Sequence, residues 1–469
     1  MKLTLLGAGV RAPLFAAAAL RRADRIGLDE LWLLDIDPER LSLFGGICAD
    51  MARRAGATSL VHLTDDPRAA LRDAAHVVVA IRVGHEQGRI VDERIALRHG
   101  VLGQETTGPG GCAMALRSIP AVLGYARLLA EVSPDAWLYS FTNPAGLVAQ
   151  ALRDAGFNRA VGICDGANKA QHAVAAWYGI DGRLLQSEVF GLNHLSWTRK
   201  VGQGTEDLLG PILLDPGFRA QSRQHMFDLE LSRQVGMWMN EYLYYYYYAE
   251  RAVAEILADG KTRGEEVLEV TQRLLGELRA ARPSEHPDAA LEAFRAYHRR
   301  RSATYMHFAR PDAPDLEQAD SVVYPGRPEK SEDEGYAGAA LDVIEALTTG
   351  KPLLTALNVP NQGAIDGLRD GDVVEVSCLV DDRGIQPLRI GQMPETQAAL
   401  VASVKAYERF TVEAIRRRSR DLAIAALMAH PLVLSYPRAK ALVDEYLAAH
   451  GQYIGWDAAG EDAMPRSEM

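Results

Sequence analysis

Two residues with metal-binding chemistry, Cys164 and His194, lie 30 positions apart in this chain. Thiolate sulfur and imidazole nitrogen are both ligands for transition-metal ions. Each belongs to a short polar motif, Cys164-Asp165 and Gly191-Leu192-Asn193-His194. Buried cysteine and histidine side chains are also common as plain core residues, so the spacing alone leaves both interpretations open.

A glycine turn near the start of the chain indicates a dinucleotide site. Gly7-Ala8-Gly9 follows an apolar segment and opens an apolar helical stretch. Such glycines let the backbone approach a pyrophosphate at a helix amino terminus. The third glycine of the usual fingerprint is missing, so a plain strand–helix turn is the alternative. The acidic strand end at Asp35-Ile36-Asp37 favours NAD, because a carboxylate accepts hydrogen bonds from ribose and repels the 2′-phosphate of NADP.

Further polar side chains follow the later predicted strands. Arg89 is a candidate anion clamp, because a guanidinium can hold a phosphate with two parallel hydrogen bonds; a surface pair with Asp92 or Glu93 is the alternative. Asn143, fixed by the proline after it, could hold a ribose or sugar hydroxyl. The predicted cofactor contacts are Gly7, Gly9, Val10, Arg11, Asp35, Asp37, Arg82 and Asn143.

A run of tyrosines supplies a candidate base. Residues 244–248 are all tyrosine, and Tyr242 precedes them in a helical context. A tyrosine works as a base only where a metal or another cation lowers its pKa. We expect most of these rings to be structural and one of them to differ.

Strands alternating with helices must position these residues. Apolar runs at 2–6, 31–34, 76–81, 137–141 and 160–163 indicate a parallel sheet, with polar clusters at the edge where such sheets bind ligands. After residue 198 the pattern is mainly helical, with a strand at 373–380 and a surface loop at 311–336. We predict an α/β fold, with a Rossmann-type NAD-binding domain over 1–197. A mixed α+β, largely helical domain over 198–469 would carry substrate binding, catalysis and oligomerisation.

Composition excludes some classes of function. The net charge of −11 argues against nucleic acid as a partner, since phosphate backbones need a basic face. No uninterrupted apolar run reaches the roughly 18 residues of a membrane span, so we expect no membrane association. Four scattered cysteines fit a reducing compartment, and we expect a cytoplasmic protein.

Taken together, the motifs resemble glycoside hydrolase family 4, the NAD- and manganese-dependent glycosidases. The resemblance runs from about residue 1 to residue 454. The segments that carry it are GAGVRAP at 7–13, LLDID at 33–37, IRVG at 81–84, GRIVDE at 88–93, HGVLGQETTGPGG at 99–111, FTNPAG at 141–146, GICD at 162–165, GLNHLS at 191–196, EYLYYYY at 241–247, SVKAYERFTVEA at 403–414 and AALMAHPLV at 425–433.

The resemblance implies a redox-assisted hydrolysis of 6-phospho-β-glucosides. Its steps are C3 oxidation by NAD, C2 deprotonation, elimination of the aglycone, water addition and re-reduction. Cys164 and His194 would hold a divalent metal, manganese in the family, and Tyr242 would be the base. The resemblance also implies sugar contacts from Asn143 and Asn193, and phosphate contacts from Arg89 and Arg263. The substrate would be a phosphorylated disaccharide or glycoside, and the assembly a homodimer or homotetramer.

Two departures from the family pattern leave alternatives open. The first turn is Gly7-Ala8-Gly9-Val10-Arg11 where relatives usually have a G-G-G-S turn. Asp165 follows the metal cysteine, where the β-type usually has Asn and the α-type an Asp that acts as general acid. A 6-phospho-α-glucosidase or α-galactosidase of the same family is therefore the alternative. A lactate/malate-type NAD dehydrogenase, which would share the sheet, and a sugar-phosphate sensor without turnover are alternatives of other classes.

Overall fold

The computed structural model describes residues 1–57, 60–306, 309 and 335–456. The predicted surface loop at 311–336 lies outside the described residues except for its last two positions, which begin a helix.

A nine-stranded sheet forms the centre of the described structure, in the order β12-β11-β10-β6-β5-β4-β1-β2-β3. Strands β1 to β6 run parallel, in the order of a dinucleotide-binding sheet, and β10 to β12 extend it antiparallel. The strands are β1 Lys2–Leu6, β2 Glu30–Leu34, β3 Val61–Thr64, β4 His76–Val79, β5 Trp137–Ser140, β6 Ala160–Gly162, β7 Gln186–Leu192, β8 Leu195–Gly202, β9 Trp238–Met239, β10 Leu353–Pro360, β11 Val373–Asp381 and β12 Gly384–Pro387. The predicted Rossmann-type α/β class is confirmed.

Helices cover the sheet and build most of the second half of the chain. Helices of the first half are α1 Ala12–Arg21, α2 Ala23–Ile26, α3 Pro38–Arg54, α4 Pro67–Leu71, α5 His85–Arg98, α6 Pro109–Val132, α7 Ala145–Asp154 and α8 Lys169–Tyr178. Later helices are α9 Pro216–Ala220, α10 Leu229–Val235, α11 Tyr244–Tyr247, α12 Ala249–Asp259, α13 Arg263–Ala281, α14 Pro287–Ala303, α15 Gly335–Thr349, α16 Glu395–Arg417, α17 Arg420–Ala429 and α18 Tyr436–Ile454.

The two predicted segments share one sheet. Strands β10 and β11 come from the predicted second domain, yet β10 pairs with β6 of the first at Asn358 and Gly162. The division at 197/198 stays a prediction of the sequence. Because the sheet crosses it, side chains from both segments can reach one strand edge.

The hairpin of β7 and β8 has no clear signal in the sequence. These strands pair antiparallel around Asn193 and His194, and His194 adopts a left-handed φ of 62°. The usual sequence signal of a two-residue hairpin turn is Asn-Gly or Asp-Gly, because glycine accepts positive φ without strain. This turn has a histidine there, so the local signal is missing.

Helix α6 bears on the expectation that the chain has no membrane span. It is the one helix among the described residues that is long and apolar enough to cross a bilayer. Arg117 and Ser118 in its middle make the sequence look interrupted. However, 61 % of that helical window is buried inside the protein, as expected for a core helix. Arg117 itself is fully buried and holds both oxygens of Asp92 on α5, at 2.8 and 2.6 Å.

Candidate active site

The carboxyl ends of the parallel strands open into one cavity of about 1160 Å³. Segments from the second half of the chain, including parts of α13 and α14, close its other side. The predicted site residues that line this cavity are Gly7, Gly9, Val10, Arg11, Asp35, Arg82, Arg89, Asn143, Cys164, Asp165, His194, Tyr242 and Arg263. The predicted dinucleotide turn, metal ligands, base and anion-binding arginines therefore face a common space.

Two predicted site residues point elsewhere. Asp37 caps helix α3, and its Oδ1 accepts hydrogen bonds from the backbone amides of Glu39 and Arg40 at 3.0 and 3.1 Å. Asp35, which does line the cavity, is left as the acidic residue for a ribose. Asn193 donates its amide to Glu375 Oε1 at 3.0 Å and also hydrogen-bonds to Cys164. In this structure Asn193 contacts Cys164 of the metal-ligand pair and does not line the cavity.

Cys164 and His194 come together at the cavity wall. Both side chains are buried, and Cys164 Sγ lies 3.4 Å from His194 Nε2. A cation bonded to sulfur and nitrogen at about 2.3 and 2.1 Å would span that separation at an ordinary ligand angle. No cluster of three or more acidic, histidine or cysteine ligands occurs among the described residues. The pair therefore suits a metal whose remaining positions stay open for substrate oxygens or water.

The electrostatics of the pair without a cation disfavour charge on either ligand. Burial, Glu375 and Asp165 raise the pKa of the Cys164 thiol well above its ordinary value. Burial lowers the pKa of His194 to about 4, so its imidazole is neutral at pH 7. Neutral imidazole is the form of histidine that binds metal. A divalent cation next to Cys164 would stabilise the thiolate form of that residue.

Tyr242 stacks on the histidine of this pair. The two ring centroids are 3.6 Å apart and the planes differ by 7°. The backbone amide of Tyr242 is held by Asn240 Oδ1 at 3.1 Å, and Asn240 in turn donates to Ser196 at 3.2 Å. The candidate base is thereby fixed against a candidate metal ligand, although the two are 48 positions apart in sequence.

Glu241, a buried carboxylate next to Tyr242 in sequence, pairs with the cationic side chains Lys169 and Arg223. Glu241 accepts hydrogen bonds from Lys169 and from the Tyr305 hydroxyl, both at 2.8 Å, and lies 3.4 Å from Arg223. Burial opposes its ionisation, but Lys169 and Arg223 overcome that effect and lower the pKa of Glu241 to about 2. Glu241 therefore stays ionised.

Two arginines of the cavity lining, Arg89 and Arg82, share the carboxylate of Glu105. Arg89 is 4 % exposed and is held by Glu93 at 2.7 Å and Glu105 at 3.2 Å. Arg82 also contacts Glu105, at 2.5 Å, and these two cations lower the pKa of Glu105 far below its ordinary value against the effect of burial. Arg89 is thus paired with Glu93, as the surface alternative supposed, but inside the cavity wall.

Arg263 and Arg301 carry the less compensated positive charge. Arg263 donates to Glu266 at 2.9 Å and to the carbonyl of Arg301 at 2.6 Å. The Arg301 side chain lines the cavity and forms no ion pair with a described carboxylate. Burial, followed by repulsion from Arg301, lowers the pKa of Arg263. An anion placed between these guanidinium groups would relieve that repulsion.

The first glycine of the amino-terminal turn is sterically required. Gly7 has φ of 92°, and a Cβ there would lie 2.8 Å from the carbonyl oxygen of Ala80. A Cβ on Gly9 would meet only the end of the Arg40 side chain, at 3.4 Å. The turn therefore brings β1 against β4 at Gly7, while Gly9 keeps the backbone open toward the cavity.

This difference gives a stability prediction. Gly7→Ala should lower the free energy of unfolding by about 1–3 kcal/mol, because alanine at this φ is strained and clashes with backbone. Gly9→Ala is the matched control and should change it little. Thermal unfolding of the chain without added cofactor measures both. Equal melting temperatures for the two variants would contradict the steric argument.

Comparison with known proteins identifies the family of this chain. The family model described as family 4 glycosyl hydrolase matches residues 2–180, and the model of its C-terminal domain matches residues 189–433. The chain belongs to glycosyl hydrolase family 4. Among its relatives, the probable 6-phospho-beta-glucosidase of Bacillus subtilis (strain 168) is 31 % identical over 97 % of both chains. The motif-based assignment to this family is confirmed, and the chain is a glycosidase.

Solved structures of family members agree with the fold. One is the 6-phospho-beta glucosidase of Thermotoga maritima with manganese, NAD+ and glucose-6-phosphate, at a TM-score of 0.79 and 26 % identity over 97 % of this chain and 99 % of that one. A 6-phospho-alpha-glucosidase from gut microorganisms, in complex with NAD and glucose-6-phosphate, has the same TM-score and coverage at 25 % identity. Relatives of both anomeric types therefore share this architecture.

Several residues of the site escaped the sequence analysis. The one sequence signal of Gln104 and Thr106 was the motif HGVLGQETTGPGG at 99–111, in which neither residue had an assigned role. Arg301 belongs to a run of three arginines that reads as a solvated helix face. Glu241 and Lys169 form an ion pair over 72 positions, which no local pattern indicates.

Proposed function

We propose that this chain hydrolyses 6-phospho-β-glucosides with bound NAD and a divalent cation, manganese. The observation that carries the proposal is the Cys164–His194 pair, 3.4 Å apart and stacked against Tyr242, in the cavity that also receives the glycine turn and the arginines. The relatives named as 6-phospho-beta-glucosidases, at 27 to 31 % identity, support the substrate class.

The residues divide the work as follows. Bound NAD⁺ would supply a hydride acceptor at C3 of the sugar, and the cation a Lewis acid for the neighbouring oxygens. Cys164 and His194 would hold the cation, while Gly7, Gly9 and Asp35 would face the dinucleotide. Tyr242 would remove the proton from C2, which becomes acidic once C3 carries a carbonyl. Elimination of the aglycone, addition of water and return of the hydride would complete the hydrolysis.

The substrate phosphate would lie between Arg263 and Arg301. Arg301→Met should lower kcat/KM for a 6-phosphoglycoside by about 10- to 100-fold, the cost of one charge-assisted hydrogen bond. Activity on the unphosphorylated glycoside should not fall in proportion. Arg299→Met is the matched control, because Arg299 also lines the cavity but is 65 % exposed and bound to Glu292. An equal loss on both substrates would contradict a phosphate role for Arg301.

Asp165 favours a second candidate, a 6-phospho-α-glucosidase. Its side chain lines the cavity directly after Cys164. A carboxyl group there could donate a proton to a leaving group on the α face. The relatives named 6-phospho-alpha-glucosidase 1 and Phospho-alpha-glucosidase PagL are 28 % and 27 % identical to this chain, within the range of the β-type relatives.

Hydrolysis of the paired 4-nitrophenyl α- and β-glucoside 6-phosphates tests the proposal. The assay is run under reducing conditions, with and without added NAD⁺ and Mn²⁺. Release from the β-anomer that needs both additions would support the proposal. Release from the α-anomer alone would transfer the assignment to the α-type. No release from either anomer with both cofactors present would refute the 6-phosphoglycoside substrate.

We also propose a cytoplasmic homodimer or homotetramer. Four free, buried cysteines are compatible with a reducing compartment. Large apolar side chains such as Leu434 and Tyr436, 61 % and 54 % exposed, offer surface for association. Analytical ultracentrifugation of the full chain measures the oligomeric state.

A further inference from the structure

A hydrogen-bond relay ends on the candidate metal ligand His194. Gln104 Oε1 lies 2.7 Å from the backbone amide of Thr106 and 2.6 Å from that of Thr107. It also lies 2.9 Å from the Thr106 hydroxyl, and that hydroxyl lies 2.8 Å from His194 Nδ1. The direction of each of these hydrogen bonds can be deduced from the first two.

Backbone amides can only donate, so the Gln104 atom that faces them must be the carbonyl oxygen and not the NH₂ group. That oxygen can only accept, so the Thr106 hydroxyl must give its single proton to it. The hydroxyl is then an acceptor toward His194, and Nδ1 must carry the imidazole proton. A metal bonds only to a ring nitrogen that carries no proton, so the nitrogen left for a metal is Nε2, which faces Cys164 Sγ at 3.4 Å.

The backbone of the loop that holds the relay packs closely against helix α6. A Cβ on Gly110 would lie 2.1 Å from the carbonyl oxygen of Gln104, and one on Gly111 would lie 2.3 Å from that of Thr106. The amino end of helix α6 is therefore in close contact with the backbone of residues 104–106. Gln104 and Thr106 are both buried, and the relay is formed by protein groups alone.

We infer that Gln104 and Thr106 are positioning residues that fix the proton of His194 on Nδ1 and so reserve Nε2 for the metal. The metal half of this inference rests on the proposed function, whereas the tautomer half does not. Hydrogen-bond partners of metal-binding histidines commonly set the ring orientation, and their loss weakens metal binding by about 10- to 100-fold.

The tautomer is tested on the metal-free full chain, labelled with ¹⁵N in the histidine rings. Long-range ¹H–¹⁵N correlation distinguishes the two ring nitrogens, and the spectrum of His194→Gln assigns the signal. We expect the proton on Nδ1 in the wild-type chain and loss of that preference in Thr106→Val. A proton on Nε2 in the wild-type chain would overturn the inference, whatever the chain's activity.

The effect of the relay on metal binding is tested by titration with Mn²⁺, in which electron paramagnetic resonance measures the concentration of the free ion. Thr106→Val should bind Mn²⁺ about 10- to 100-fold more weakly, and Thr106→Ser, which keeps the hydroxyl, should be close to wild type. Thr107→Val is the matched control, because the Thr107 hydroxyl is buried and has no hydrogen-bond partner among the described residues. Unchanged affinity in Thr106→Val, or equal losses in all three variants, would overturn the role in metal binding.

The same titration separates this inference from the proposed function. If Cys164→Ser binds Mn²⁺ as tightly as the wild type, the metal lies elsewhere and the proposed function fails. If Cys164→Ser loses binding while Thr106→Val keeps it, the proposed site stands and the relay is overturned. Melting temperatures of all variants show whether each one is folded.

Discussion

Cys164→Ser is expected to lower turnover of the 6-phosphoglycoside by at least about 10³-fold. A Lewis acid beside the reacting oxygens is worth several kcal/mol of barrier, and about 4 kcal/mol corresponds to that factor. Serine keeps the size of the side chain but replaces a thiolate ligand with a weakly acidic hydroxyl. The initial rate of nitrophenol release at saturating NAD⁺ and Mn²⁺ measures the effect.

Cys378→Ser is the control for this experiment. Cys378 is also fully buried in the sheet, on β11, where its thiol contacts the carbonyl of Val376 at 3.3 Å, and it does not line the cavity. Its substitution should leave the rate nearly unchanged. If Cys164→Ser keeps the wild-type rate and its dependence on Mn²⁺, Cys164 is not a metal ligand and the pair is structural.

The predicted residues that line the cavity have a common physical origin. Gly7, Asp35, Asn143 and Cys164 each follow a parallel strand, and the carboxyl ends of parallel strands must meet at one edge of the sheet. That rule needs only the order of strands, which apolar runs predict well. Asp37 also follows a parallel strand but does not line the cavity. It lies two residues after Asp35, where its carboxylate caps the amino end of helix α3.

The residues that sequence analysis missed depend on contacts over long separations. Thr106 meets His194 across 88 positions, and Tyr305 meets Glu241 across 64. Arg301 follows two other arginines in sequence, and only its orientation on helix α14, toward the cavity, marks it as a site residue. The family motifs marked Gln104 and Thr106 as part of a pattern, but only geometry assigns a donor and an acceptor to each.

Tyr242→Phe is expected to lower kcat by about 10²- to 10⁴-fold with little change in KM. General bases contribute a factor of that size, and phenylalanine preserves the stack on His194, 3.6 Å between ring centroids, while it removes the proton acceptor. Because the Tyr242 hydroxyl also hydrogen-bonds to Tyr305, the free energy of unfolding should fall by about 0.5–1.5 kcal/mol. Steady-state kinetics with the 4-nitrophenyl 6-phosphoglycoside measures both constants.

Tyr246→Phe is the matched control, because Tyr246 lies in the same tyrosine run but does not line the cavity and stacks on His430 at 6.0 Å. It should turn over at close to the wild-type rate. Removal of the C2 proton by Tyr242 further predicts that glucose 6-phosphate formed in D₂O carries deuterium at C2. Hydrolysis by two carboxylates leaves that position unlabelled, because it never breaks the C2–H bond. Product without deuterium, together with a Tyr242→Phe variant of normal rate, would therefore remove the tyrosine from the mechanism and return attention to Asp165.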